Sequence, residues 1–156
     1  MTGVGLLPVP RDVAVAVVGG CSLDHVLARL QLTRSAGWPH TDTGDALRPL
    51  AEHGTGHGTF LVVRQGAVLG ECGWFGPPDA EGAVEIGYGL AVPSRRQGLG
   101  REAVQLLLDW IWTQPEVRVV TAEVLVGNEA SLRLLAGLGF ATTGREGPYV
   151  RLHTTG

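Results

Sequence analysis

Apolar residues change period several times along this chain, and those changes divide it into elements. From residue 12 to residue 18 valine and alanine alternate weakly before Gly19-Gly20, which predicts a first strand halted by a turn. Ser22 then stands as the N-cap of a helix whose Leu23, Val26, Leu27 and Leu30 share one face through i, i+3, i+4, i+7 spacing. A shorter helix is expected over 43–52, between Trp38-Pro39 and the glycines Gly54, Gly56 and Gly58. Two strands, 59–64 and 68–75, flank Gln65-Gly66-Ala67 as a hairpin.

A further strand runs over 83–92, where period-two geometry sets Val84, Ile86, Tyr88 and Leu90 on one face and Glu85, Gly87 and Gly89 on the other. After Pro93 a glycine-bearing turn opens a long helix to about Trp112, striped by Val104, Leu107, Leu108 and Ile111 and ended by Pro115. The β-branched run 117–126 reads as a buried central strand. Asn128 caps the next helix, with Leu134, Leu135 and Leu138 facing inward and Gly139 stopping it. Short strands over 140–143 and 149–153 finish the sheet. The order predicts an α/β (mixed α+β) chain, a mixed sheet with helices packed on it, organised as a single domain over 1–156.

Composition adds exclusions. A net charge of -3 supplies no broad basic field for nucleic acid. No apolar run approaches the roughly 20 residues needed to span a bilayer. Cys21 and Cys72 lie far apart without metal-ligand spacing, so a soluble protein of the reducing cytoplasm is expected. His53 and His57 have four-residue spacing, but Gly54-Thr55-Gly56 between them argues for a loop, and no metal is expected.

The chemistry concentrates between the 83–92 strand and the long helix, in Arg95-Arg96-Gln97-Gly98-Leu99-Gly100, with Arg101 following. Such a turn offers positions without Cβ, free backbone N–H groups and the positive end of a helix dipole, which together suit a pyrophosphate. The same glycines also satisfy G-x-G-x-x-A through Ala103, with Glu123 at a spacing suited to a ribose contact. That nicotinamide reading requires further βα units downstream, where only a short tail remains, and the upstream hairpin does not fit it. On the glycine-rich face of the 83–92 strand, Glu85 is the candidate base, because the neighbouring Gly87 and Gly89 leave room for a substrate; a strand-end glutamate paired with an arginine is the alternative. Trp38, His40, Trp74 and Phe75 are candidates to border a cleft, although packing accounts for them as well. Trp110 and Trp112 fall on different sides of their helix, so one is available to a subunit contact in a homodimer.

Arg95, Gly98 and Gly100, the Asn128-Glu129-Ala130-Ser131 start and Gly139-Phe140 end of the later helix, and Glu85-Ile86-Gly87-Tyr88 together resemble the GNAT superfamily over roughly residues 83–140. The wording is nearest to its ribosomal-protein N-terminal and small-molecule acetyltransferases. The resemblance implies a mostly antiparallel sheet of six to seven strands with about four helices, and acetyl-CoA as the acyl donor. It implies N-acetyltransfer directly to a primary amine of a small molecule or peptide N-terminus, without a covalent acyl-enzyme. Backbone groups near Leu90, Ala91 and Val92 would receive the thioester and pantetheine, Arg95 to Arg101 the pyrophosphate, and Asn128 the pantetheine side. Many members carry a tyrosine proton donor seven residues after the asparagine, where this chain has Leu135. Ser131 and Tyr149 are the substitutes available. A catalytically weak acyl-CoA-binding sensor of the same fold is the alternative.

Overall fold

A computed structural model describes the chain except residues 1, 2, 21, 55–57 and 96 and the side chain of Val92. Cys21, Gly56, His57 and Arg96 therefore lie outside the described residues. In chain order the elements are β1 (Gly5–Pro8), α1 (Arg11–Gly19), α2 (Leu23–Arg29), β2 (Thr33–Arg34), α3 (Thr43–His53), β3 (Thr59–Arg64), β4 (Ala67–Phe75) and β5 (Ala83–Leu90). They continue with α4 (Leu99–Ile111), β6 (Val119–Leu125), α5 (Glu129–Gly137), β7 (Ala141–Glu146) and β8 (Tyr149–Thr154).

The eight strands form one sheet in the order β1-β3-β4-β5-β6-β8-β7, with β2 beside β4. Pairing is antiparallel except for β5 with β6 and β2 with β4. Strand and helix numbers exceed the expected six to seven and about four, because β1 and α1 were not foreseen as such and β2 is only two residues long.

The expected strand over 12–18 is helix α1, and the reason is burial. Val13, Ala14 and Ala16 are buried while Val15 is 49% exposed, so the apparent alternation is not the period the fold obeys. Pro10 presets the entry with φ -66°, Asp12 favours the helix dipole in the first turn, and Gly20 closes the helix in the left-handed region with its N–H on the Ala16 carbonyl. The true first strand, β1, pairs with β3 at the sheet edge, where Pro8 costs no interior ladder bond. The hairpin between β3 and β4 is tighter than expected, since Gln65 and Gly66 both have positive φ, as a two-residue type I′ turn demands, and Ala67 already belongs to β4.

Two apolar clusters sandwich the sheet. On one face Cys72, Trp74, Val84, Ile86 and Leu90 meet Val104, Leu107, Leu108 and Ile111 of α4 and Leu135 of α5. On the other, Leu61 and Val68 meet Val13, Leu27, Trp38, Leu47 and Leu50 from α1, α2, the α2–α3 connection and α3. No described residue of β6, β7 or β8 joins this second cluster, so the second face is open from β5 outward. Trp110 packs edge-to-face on Phe60 and Trp74, and Trp112 is also partly buried against the core, so neither is the exposed contact residue that helical spacing allowed.

Candidate active site

Strand β5 runs with β6 only from Ala83–Val119 to Ile86–Ala122. Beyond that point β5 stays with β4 as far as Leu90, whereas β6 follows β8 as far as Leu125. The two parallel strands part, and a gap opens beside residues 87–90. Ala91 N–H donates to the Leu69 carbonyl at 2.8 Å, so by the alternation of antiparallel pairing the N–H of Leu90 points away from β4, toward the gap. Of the backbone donors expected near Leu90, Ala91 and Val92, the Ala91 amide is thus already engaged.

The glycine turn fits an anionic group. Gly98 is the N-cap of α4 with φ 75°, and among the described residues no side chain caps the first-turn N–H groups and none lies within 4 Å of where a Gly98 Cβ would stand. Gly100 is different: a Cβ there would lie 3.3 Å from Leu134 Cδ1 and 3.5 Å from Leu90 Cδ1, so its absence lets α4 approach α5 and β5. The polar side chains of this turn are partly tied back. Arg95 Nε donates to Leu90 O at 2.9 Å, Gln97 Nε2 to Pro93 O at 2.9 Å, and Arg101 Nη2 to Gly137 O at 3.1 Å. Each guanidinium retains further donors.

Glu85 projects to the open face between Phe75 of β4 and Thr121 of β6. Burial pushes its carboxyl above the usual range, nearby Glu123 adds to this, and Arg151 opposes it. A half-buried carboxyl with raised proton affinity is suited to accept a proton near neutral pH.

On the other face of β5, Tyr88 donates its hydroxyl to Ser131 Oγ at 3.1 Å, spanning from the strand to the first turn of α5. Ser131 is held there because Asn128 caps α5, its Oδ1 accepting the Ser131 N–H at 3.2 Å. Burial pushes the Tyr88 phenol up, and the hydrogen bond to Ser131 opposes the shift. Leu135 is fully buried in the core and offers no hydroxyl. Tyr149 is 39% exposed and opposite Leu125, on the sheet face away from Tyr88 and Ser131. The structure does not bring it to them.

One buried ionisable group escaped sequence reasoning. Glu71 of β4 is 4% exposed, and its Oε1 accepts Trp38 Nε1–H at 3.0 Å and Thr43 Oγ1–H at 2.8 Å. His40 Nε2 stands 2.9 Å from Oε2, off the line of the ring N–H, which makes it a charge contact rather than an aligned hydrogen bond. The Glu71 interaction raises the His40 pKa against the opposing cost of burial, with Asp42 assisting and Arg95 opposing. A Cβ at Gly89 would fall 2.7 Å from His40 Nε2 and 2.9 Å from Glu71 Oε2, so the pair rests directly on β5. The available signal was a glutamate bracketed by Gly70 and Gly73 in an otherwise apolar strand. Trp38 and His40, expected near a cleft, are the polar anchors of this carboxylate. Cys72 is buried and its thiol is pushed up to about 12, so it is no acyl-accepting nucleophile.

An acetyltransferase (GNAT) domain family matches residues 22–141. The uncharacterized N-acetyltransferase YjdG of Bacillus subtilis strain 168 is 30% identical over 120 residues, covering 72% of this chain and 71% of that protein. Among solved structures, ribosomal-protein-S5-alanine acetyltransferase from Vibrio fischeri superposes with TM-score 0.69 at 20% identity, over 99% of this chain and 94% of that one. The yncA protein of Salmonella typhimurium, solved with its cofactor acetyl-CoA, superposes with TM-score 0.65 at 18% identity, over 98% and 94%. These two structures establish the shared fold. The chain belongs to the GNAT acetyltransferase family. It is an N-acetyltransferase whose acyl donor is acetyl-CoA.

Proposed function

We propose that this enzyme acetylates a primary amine, that of a small molecule or of a peptide N-terminus, by direct attack on the donor within the gap between β5 and β6. The observation that carries this reading is the placement of Glu85 and the Tyr88–Ser131 pair on opposite faces of β5 where that strand leaves β6. The amine approaches from the open face beside Glu85, and the sulfur departs toward Tyr88 and Ser131. The Vibrio fischeri neighbour, named for a ribosomal-protein alanine, supports the peptide end of the range.

Bound acetyl-CoA supplies the acyl group as a thioester. The N–H groups of Leu99, Gly100 and Arg101, with Arg95, would hold its pyrophosphate, and Asn128 and the gap-facing Leu90 N–H would lie along its pantetheine. The Leu90 N–H is oriented to donate to the acyl oxygen as negative charge develops there. Glu85 would take the first ammonium proton before attack and pass it to solvent, then accept the second as the C–N bond forms and the C–S bond to the departing thiolate breaks. Because Tyr88 already donates to Ser131 Oγ, the Ser131 O–H is free to donate to the sulfur. A phenol is a weaker acid than a thiol, so the pair stabilises the thiolate by hydrogen bonding and need not protonate it.

The test is calorimetric titration with coenzyme A followed by a thiol-release assay across aliphatic amines, polyamines and N-terminal peptides. Binding with turnover of at least one amine is expected. Tight binding with every amine inert would instead establish an acyl-CoA-binding module, the reading that a buried Leu135 in place of tyrosine favours.

A further inference from the structure

We propose that Phe75 is a specificity-determining residue, an aromatic platform beside Glu85 that holds the ammonium of a cationic acceptor amine; this rests on the amine-acetylation reading above. Phe75 is the last residue of β4, paired with Glu85 of β5 beyond the end of the β3 register, and is 62% exposed. Large apolar side chains lose favourable burial when left in water. Among the described residues, the apolar cluster that α1, α2 and α3 form on β3 and β4 does not include Phe75.

The ring has a definite seat. A Cβ on Gly87 would come within 2.9 Å of Phe75 Cζ and 3.2 Å of Cε2, so the ring lies across the bare backbone of β5. Phe75 is directly opposite Glu85, and Gly73 is directly opposite Gly87. The open face therefore presents a glycine-floored strip, with Glu85 and Phe75 side by side at one end. The π face of an aromatic ring attracts an ammonium group, and the adjacent carboxylate adds charge and then takes the proton before attack. Glu123, near enough to raise the Glu85 pKa, extends the negative potential, with Arg151 setting its outer limit. A neutral nucleophile of the same size gains neither attraction.

Because Phe75 is exposed, its replacement leaves the core intact. In coenzyme A-saturated protein, n-butylammonium should shift the Phe75 ring resonances and n-butanol should not. With the best aliphatic amine, Phe75→Leu should raise the acceptor KM roughly two- to fivefold, the size of a cation–π contact at an exposed ring, while the affinity for coenzyme A is unchanged. Phe75→Trp should restore it. Equal KM values for the wild-type protein and Phe75→Leu, or equal ring shifts with amine and alcohol, would overturn the platform. So would a Phe75-dependent dimer in sedimentation with KM unaffected, since the ring would then serve a subunit contact. Ammonium binding without turnover would sink the transfer reading and leave the subsite standing.

Discussion

Removing the Glu71 side chain tests whether the buried carboxylate organises the acceptor side of the sheet. Glu71→Ala strands two donors, Trp38 Nε1–H (2% exposed) and Thr43 Oγ1–H (fully buried), and removes the charge facing His40 Nε2. Each orphaned donor costs about 1–3 kcal/mol, and water entering the vacated space recovers part of that, so the net loss should be about 3–5 kcal/mol. A chain of this length loses about 2–4 °C per kcal/mol, which places the fall in Tm near ~6–20 °C. Glu71→Gln keeps the volume and an acceptor for Trp38 and Thr43, and should cost about half as much. His40 adds a pH signature. Its folded pKa is raised, so its contribution is complete below the unfolded value of about 6.5 and is lost as pH rises through the folded value. Urea unfolding of the wild-type protein and Glu71→Gln from pH 6 to pH 9 should therefore show the gap between them narrowing with rising pH. A Glu71→Ala loss under about 1 kcal/mol, or a gap independent of pH, would refute the role assigned to the carboxylate.

Other outcomes follow from the same geometry. Glu85→Gln should cut kcat/KM by about 100-fold with coenzyme A affinity retained; in the wild-type protein the acid limb of the pH–rate profile should lie above the ordinary carboxylate range and should vanish in the variant. Gly100→Val presses a branched side chain on Leu134 and Leu90 and blocks backbone approach, so calorimetry should show coenzyme A affinity falling at least about tenfold. Tyr88→Phe should lower kcat by roughly tenfold with little change in the acceptor KM, and Tyr88→Phe combined with Ser131→Ala should be much less than additive if the two hydroxyls act as one donor.

Much of the cofactor side was legible in the chain because local chemistry determines it. Gly98 and Gly100 are read as a Cβ-free turn opening a helix, Asn128 as a cap, and Val104, Leu107, Leu108 and Ile111 as a buried stripe, and each reading depends on residues within a turn or two of sequence. Glu85 could be placed on the glycine face of β5 for the same reason, since strand alternation is local.

Tertiary structure decided the rest. Whether residues 12–18 alternate as a strand or wind as a helix depended on which valines find α3 and the sheet to pack against, and burial chose the helix. The partners of Glu71 come from 28 to 33 residues upstream in the chain, and the Tyr88–Ser131 contact joins residues 43 apart. No periodicity encodes such meetings. The sequence by itself determined the glycine turn before α4 and the resemblance to the family; the meeting of strands and helices across the sheet decided which carboxylate is buried, which hydroxyls meet at the start of α5, and which aromatic ring is left exposed. The physical reason is range: caps, turns and alternation are set by near neighbours, whereas burial and long-range hydrogen bonds exist only once distant segments are brought into contact.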